Sequence, residues 1–275
     1  MSFPRLALHT VTTKPWSIYQ CIENYAQRGI GGISIWRDVV ENEDLSRVKK
    51  AVSDAGLHPI SLVRGGFFTG KEASERAAAQ KTNCEALHEA EALGLESLVL
   101  VTGATVGQGP RENYRQIRDG IGELTVEAEK TGVKLLIEPL HPLYAADRSG
   151  IPSLAVANQL CRELAHPQVG IAADVYHIWW ELDLQKQLAE AGRNGWLDAY
   201  HICDFKPDQT DPLLDRGIMG EGAIQLGEID NWTTAAGFSG FREVEIFSTR
   251  WWQADQHLFL DKIIEAYTSL YPNDL

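Results

Sequence analysis

VGIAADVYHIWW, residues 169–180, sets a short apolar run against an aspartate and then a histidine among aromatic residues. No polar side chain interrupts the run before Asp174. That is the pattern of a strand buried on both faces, as in a parallel sheet covered by helices, rather than the alternation of a half-solvated strand. Working outward, similar runs recur at KLLIE (134–138), AYHIC (199–203) and REVEIF (242–247). Upstream they recur at LALHT (6–10), GISIW (32–36), PISLV (59–63) and SLVLV (97–101).

Between these eight runs lie stretches with helical spacing, at 17–28, 44–55, 72–93, 111–131, 153–165, 184–191, 226–236 and 254–270. Several end in a residue followed by glycine, the common way for a helix to stop: Arg28-Gly29, Ala55-Gly56, Leu93-Gly94, Thr131-Gly132 and Ala236-Gly237. Eight βα units in 275 residues predict an α/β fold, a single (β/α)8 barrel domain over residues 1–275. A doubly wound open sheet would usually carry a glycine-rich phosphate loop after its first strand. HTVTTKP at 9–15 is not one, and GATVGQG at 103–109 lacks the lysine of a P-loop and is read as a flexible loop after the fourth strand. The polar, glycine- and proline-bearing segment 205–224 is assigned to a long ordered loop after the seventh strand.

The formal charge is −13, from 38 acidic against 25 basic residues, which repels phosphate backbones and anionic membrane surfaces. Nucleic acid and membrane are therefore not expected partners. The opening MSFPRLALHT has no basic segment followed by a long apolar one, so a cytoplasmic protein is expected. Four widely spaced cysteines with no CxxC pair read as reduced structural thiols. No GxSxG elbow or HExxH helix is present.

Four successive strands, the fifth to the eighth, end in a potential ligand: Glu138, Asp174, His201 and Glu245, each about one βα unit from the next. For a single acid at a strand end, a solvated loop position or a helix cap is the commoner reading. Four in register are harder to treat that way, because an unpaired carboxylate inside Val244-Glu245-Ile246-Phe247 would cost several kcal/mol. Three carboxylates and one imidazole predict a site for one divalent metal ion, Mn, Co or Mg with Zn also admissible. An arginine or lysine partner is the alternative. His177, three residues after Asp174, is expected to hold a substrate oxygen, and His141 in EPLHP reads either as a substrate-binding or supporting group or as a plain loop residue. Trp36, Trp179, Trp180, Trp251 and Trp252 are candidates for a wall against the C–H face of a sugar. Arg64 and Arg216 are candidates for substrate hydroxyls or a carboxylate.

The series IEPLHP, ADVYH, HICDF and VEIF resembles the sugar isomerase and epimerase superfamily of xylose isomerase-like TIM barrels, which also contains inosose dehydratases and an apurinic endonuclease branch. The resemblance implies that Glu138, Asp174, His201 and Glu245 bind one metal ion. It also implies that Glu138 and Glu245 flank the carbon whose proton moves, and that His177 positions substrate. Two departures stand out. The ketose epimerases place an arginine shortly after the metal histidine, where this chain has Phe205-Lys206-Pro207, leaving Arg216 as the substitute; and a second acid expected soon after Glu138 is replaced by Tyr144 and Asp147 nearby. The endonuclease branch needs many more histidines than the 8 present. The expected function is isomerisation or epimerisation of a small-molecule sugar by proton transfer through an enediolate. Dehydratase or lyase chemistry on an oxidised sugar or polyol is the alternative, and a non-catalytic sugar-binding barrel or subunit the second. A homo-oligomer is left open.

Overall fold

The computed structural model describes residues 2–272 and Asp274. Eight parallel strands close into a barrel in chain order: β1 (Phe3–His9), β2 (Ile30–Trp36), β3 (His58–Gly66), β4 (Ser97–Val101), β5 (Lys134–Ile137), β6 (Val169–Asp174), β7 (Leu197–Ile202) and β8 (Arg242–Val244), with β8 pairing back onto β1. Around them run α1 (Ile18–Gln27), α2 (Leu45–Asp54), α3 (Ala73–Leu93), α4 (Pro110–Thr131), α5 (Leu154–Leu164), α6 (Val175–Ile178), α7 (Leu184–Arg193), α8 (Leu226–Ala235), α9 (Thr249–Trp252) and α10 (Gln256–Leu270).

Local sequence explains the ends of these elements. Ser17 and Gln20 form a reciprocal capping box at the start of α1, and the Asp44 carboxylate accepts from the backbone N–H groups of Ser46 and Arg47 at the start of α2. At the close of α3, Gly94 takes φ 75°, the left-handed turn that lets the chain re-enter the sheet within three residues.

The expected strand at 242–247 is shorter, because the regular ladder stops at Val244; the Glu245 N–H still donates to the Ile202 carbonyl at 3.2 Å. Two short helices were not expected. α6 begins immediately after β6, with the Asp174 side chain capping it through the Tyr176 N–H, and α9 precedes the expected helix at 254–270, whose regular part starts at Gln256. The loop at 205–224 is ordered around Asp204, whose carboxylate accepts from the backbone N–H groups of Phe205, Gly220, Gly222 and Ile224.

The barrel interior is divided by height. Val63, Val99, Leu136, Ala172 and Ala199 form an apolar layer. At the C-terminal ends of the strands the inward positions turn polar, and strand register fixes which residues share a level: Asp174 pairs with His201, and His201 with Glu243. Glu243 and Glu245, two apart, share the inward face, while Arg242 points outward to Asp230. The four cysteines are unpaired, and no helix among the described residues is long and apolar enough to cross a membrane.

Candidate metal centre and substrate cavity

The ends of β5 to β8 bring Glu138, Asp174, His201 and Glu245 together, all buried, with one ligand atom from each lying within 4.8 Å of the others. His201 stands between two acids: Nδ1 is 3.2 Å from Glu138 Oε1 and Nε2 is 3.9 Å from Glu243 Oε2. Nδ1 faces the cluster, and Glu243 stands behind the ring on the side where metal-bound histidines commonly have a supporting acid, though at 3.9 Å it is beyond hydrogen-bond reach.

Two residues that sequence reasoning passed over complete this floor. His9, at the end of β1, places Nε2 3.2 Å from Glu243 Oε2 and Nδ1 3.1 Å from Glu245 Oε1, and its ring meets His201 edge-on at 4.5 Å. Glu243 also accepts from the Ser34 hydroxyl at 2.5 Å. The signal in the sequence is a histidine at a strand end, since His9 closes β1 and His201 is the penultimate residue of β7, but β2 to β4 end in no such donor to continue the series.

Arg216 enters from the loop after β7. Its Nη1 donates to Asp174 Oδ2 at 2.9 Å and to Glu245 Oε2 at 3.2 Å, and its guanidinium lies 4.3 Å from the Tyr176 ring centre and 4.9 Å from that of Phe247. The arginine alternative thus holds for two of the four ligands. Glu138 Oε1 and both nitrogens of His201 remain buried with no partner in hydrogen-bonding geometry. Ligands about 2.0–2.2 Å from a common cation lie at most ~4.4 Å apart, so the donor set and its spacing fit a divalent ion after small side-chain shifts.

Burial governs the charges here, and neighbours decide its outcome. Burial, reinforced by the Glu245 charge, raises the Glu138 pKa; burial also raises Asp174, against the pull of Arg216. Burial works against ionised Glu245 too, but His9, Arg216 and His201 outweigh it and leave its pKa lowered. His201, disfavoured as a cation by burial, is nevertheless lifted to about 10 by Glu138, Glu243 and Glu245. His177 goes the other way, held well below its usual value by burial and by the Arg216 charge, so its ring is neutral.

Donors face both nitrogens of the His177 ring: the His141 N–H lies 3.3 Å from Nδ1 and Arg216 Nη2 lies 3.2 Å from Nε2. A neutral imidazole accepts at only one of them. In the tautomer that accepts from His141, Nε2 carries the proton and, like Arg216, offers it to an oxygen atom.

Above the cluster opens a cavity of about 160 Å³, whose lining includes Trp36, Arg64, Glu138, His177, Arg216 and Glu245. That is below the ~300–1,000 Å³ of drug-sized sites and suits a small molecule. Of the two readings of His141, the ring's contacts are those of a loop residue. Its ring packs on Trp180 at 5.4 Å and accepts from the Leu143 N–H, and only its backbone serves the site, through His177. Of the tryptophans, Trp36 and Trp252 line the cavity. Trp179 packs on Phe205, Trp180 on His141, and Trp251 stacks on Phe259.

The family model described as xylose isomerase-like TIM barrel matches residues 22–263. Among solved structures, protein SMc04130 from Sinorhizobium meliloti 1021 shares 38% identity over 98% of this chain and 99% of its own, with a TM-score of 0.94. IolI protein with a binding zinc atom superposes with a TM-score of 0.86 at 19% identity, covering 98% and 99% of the two chains. D-psicose 3-epimerase from Clostridium cellulolyticum H10, solved with D-tagatose, gives 0.81 at 15% identity over 98% of each chain. The last two likenesses are of fold alone. No curated protein matches the chain.

Proposed function

This chain belongs to the xylose isomerase-like TIM barrel family, and from that premise we propose that it is a divalent-metal-dependent isomerase or epimerase moving a proton on a ketose or related small sugar. The observation that carries the reading is the convergence of Glu138, Asp174, His201 and Glu245 at the floor of a cavity of small-molecule size. A fold relative named for epimerising a ketose supports the choice of reaction class.

Those four side chains would hold the cation, and three carboxylates with one imidazole suit Mn, Co, Mg or Zn. When bound, such an ion supplies Lewis-acid polarisation of a carbonyl. Glu138 and Glu245 close β5 and β8, with the ends of β6 and β7 between them, so a substrate carbon over the floor has a carboxylate on either side. One takes the proton from the carbon beside the carbonyl, leaving an enediolate, and the other returns a proton. Return to the same carbon from the opposite side is epimerisation; return to its neighbour is isomerisation. His177 donates through Nε2 to a substrate oxygen, and Arg216 shares that oxygen's charge. The faces of Tyr176 and Phe247 keep water from the guanidinium.

Metal-loaded protein incubated with a panel of ketoses in deuterated water tests this directly. Label is expected at the carbon next to the carbonyl of at least one sugar, is expected to vanish after chelation and to return with Mn or Co. Binding without exchange for every sugar would remove the proposed function.

A further inference from the structure

Lys14, Arg64 and Arg148 reach the cavity from three separate segments. Other cations near the strand ends are paired: Arg37 with Glu89, Lys206 with Asp215, and Arg216 with Asp174 and Glu245. Among the described residues these three have no carboxylate within 4.0 Å. Each instead lies over an aromatic face: Lys14 4.7 Å from Trp252, Arg64 4.6 Å from Phe67 and Arg148 5.8 Å from Tyr144. A ring face steadies a cation without neutralising it. Arg64 and Arg148 are close enough for mutual repulsion, which adds to burial in lowering the Arg64 pKa.

The floor offsets little of this charge. Glu138, Asp174 and Glu245 face Arg216 and would hold the divalent ion, and Glu243 faces His9. The charges of Glu138 and Asp38 reach Arg64, but burial and Arg148 outweigh them. A chain of net charge −13 has acids in excess, so an unpaired basic trio at one cavity is not a product of composition. What the trio lacks is an anion.

We propose that Arg64, Arg148 and Lys14 form a subsite for an anionic oxygen group, carboxylate or phosphoryl, carried by the substrate away from its reacting carbon, so that the enzyme takes an acidic ketose in preference to a neutral one. The word substrate rests on the preceding section; the subsite itself does not.

Calorimetric binding to metal-loaded protein compares D-fructose, D-fructose 6-phosphate and 5-keto-D-gluconate at low and raised salt, in the parent and in Arg64→Gln and Arg148→Gln. At least one anionic ligand is expected to bind about tenfold or more tightly than D-fructose, as charge-assisted hydrogen bonds allow. That advantage, read as the ratio of anionic to D-fructose affinity, should shrink in salt and fall about tenfold in each variant. Which anion gains identifies phosphoryl or carboxylate as the partner. Equal affinity for neutral and anionic ligands, or an advantage that survives both substitutions, overturns the subsite. Deuterium exchange on the same samples separates the two ideas. Exchange without charge preference removes the subsite and keeps the isomerase; charge preference without exchange in any ligand does the reverse.

Discussion

The two halves of the barrel treat their strand ends differently. β5 to β8 deliver Glu138, Asp174, His201 and Glu245 to one point, whereas β2, β3 and β4 close in Trp36, Gly66 and Val101, and Trp36 and Val101 form part of the cavity wall. Gly66 shows how closely that wall is packed: its φ is 115°, and a Cβ there would lie 1.9 Å from the Val101 carbonyl oxygen. One half gathers charge and the other confines it. β1 belongs to neither, for it sends His9 across the seam to contact both Glu243 and Glu245. The lesson is that buried charge is tolerated here by mutual pairing, and that the pairing extends beyond the strands that carry the ligands.

Glu245→Gln strikes the ligand half hardest. Turnover measured by deuterium exchange is expected to fall by about 10³-fold or more, because a proton-transfer group and a ligand go together. Circular dichroism should remain that of the folded barrel; a variant retaining full exchange would take Glu245 out of the chemistry. His9→Leu tests the seam. Glu243 then loses a buried partner, so denaturant melting should show a loss of about 3 kcal/mol. Metal titration should show affinity about 10–100-fold weaker. Unchanged metal affinity would confine the site to β5–β8 after all.

Glu181 sharpens the contrast, being a buried carboxylate in the ligand half that accepts from the Leu154 N–H at 2.7 Å and has no ion-pair partner among the described residues. Burial raises its pKa to about 7. Against an unfolded carboxyl near ~4.3, the fold keeps this proton longer than the unfolded chain, so its contribution is complete at acid pH and lost as pH rises through the folded value. Glu181→Gln is expected to match the parent at pH ~4 and exceed it by about 2 kcal/mol at pH ~8 in urea melts. The smallest effect belongs to the other half, where Asp44→Ala removes the cap of α2. It should cost about 1 kcal/mol and leave metal binding untouched, as measured by the same melts and titrations.

Much of this was legible in the sequence because strands buried on both faces read as apolar runs. β4 at 97–101 and β6 at 169–174 emerge with the expected bounds for that reason. The four ligands were legible because each ends such a run. Less visible were contacts that join distant segments. His9 and Glu243 meet across the closure of the barrel, which no local pattern announces. His141 looked like a site residue from its place in EPLHP, yet the turn at Pro142 aims its ring at Trp180 and leaves only its N–H for His177. Arg148 was missed because the chain between β5 and α5 has no period to read.

The loop after β7 has a property of its own. Asp204 gathers four backbone N–H groups at its root, while the Arg216 N–H donates to the Phe247 carbonyl at 2.9 Å at its far end. The first anchor rests on one carboxylate and the second on a main-chain bond, and in both the donors are backbone N–H groups. Between the anchors the Pro212 carbonyl accepts from the hydroxyls of Tyr144 and Tyr176, while Leu213 and Leu214 line the cavity, so a change at those two side chains reshapes the rim without touching a metal ligand.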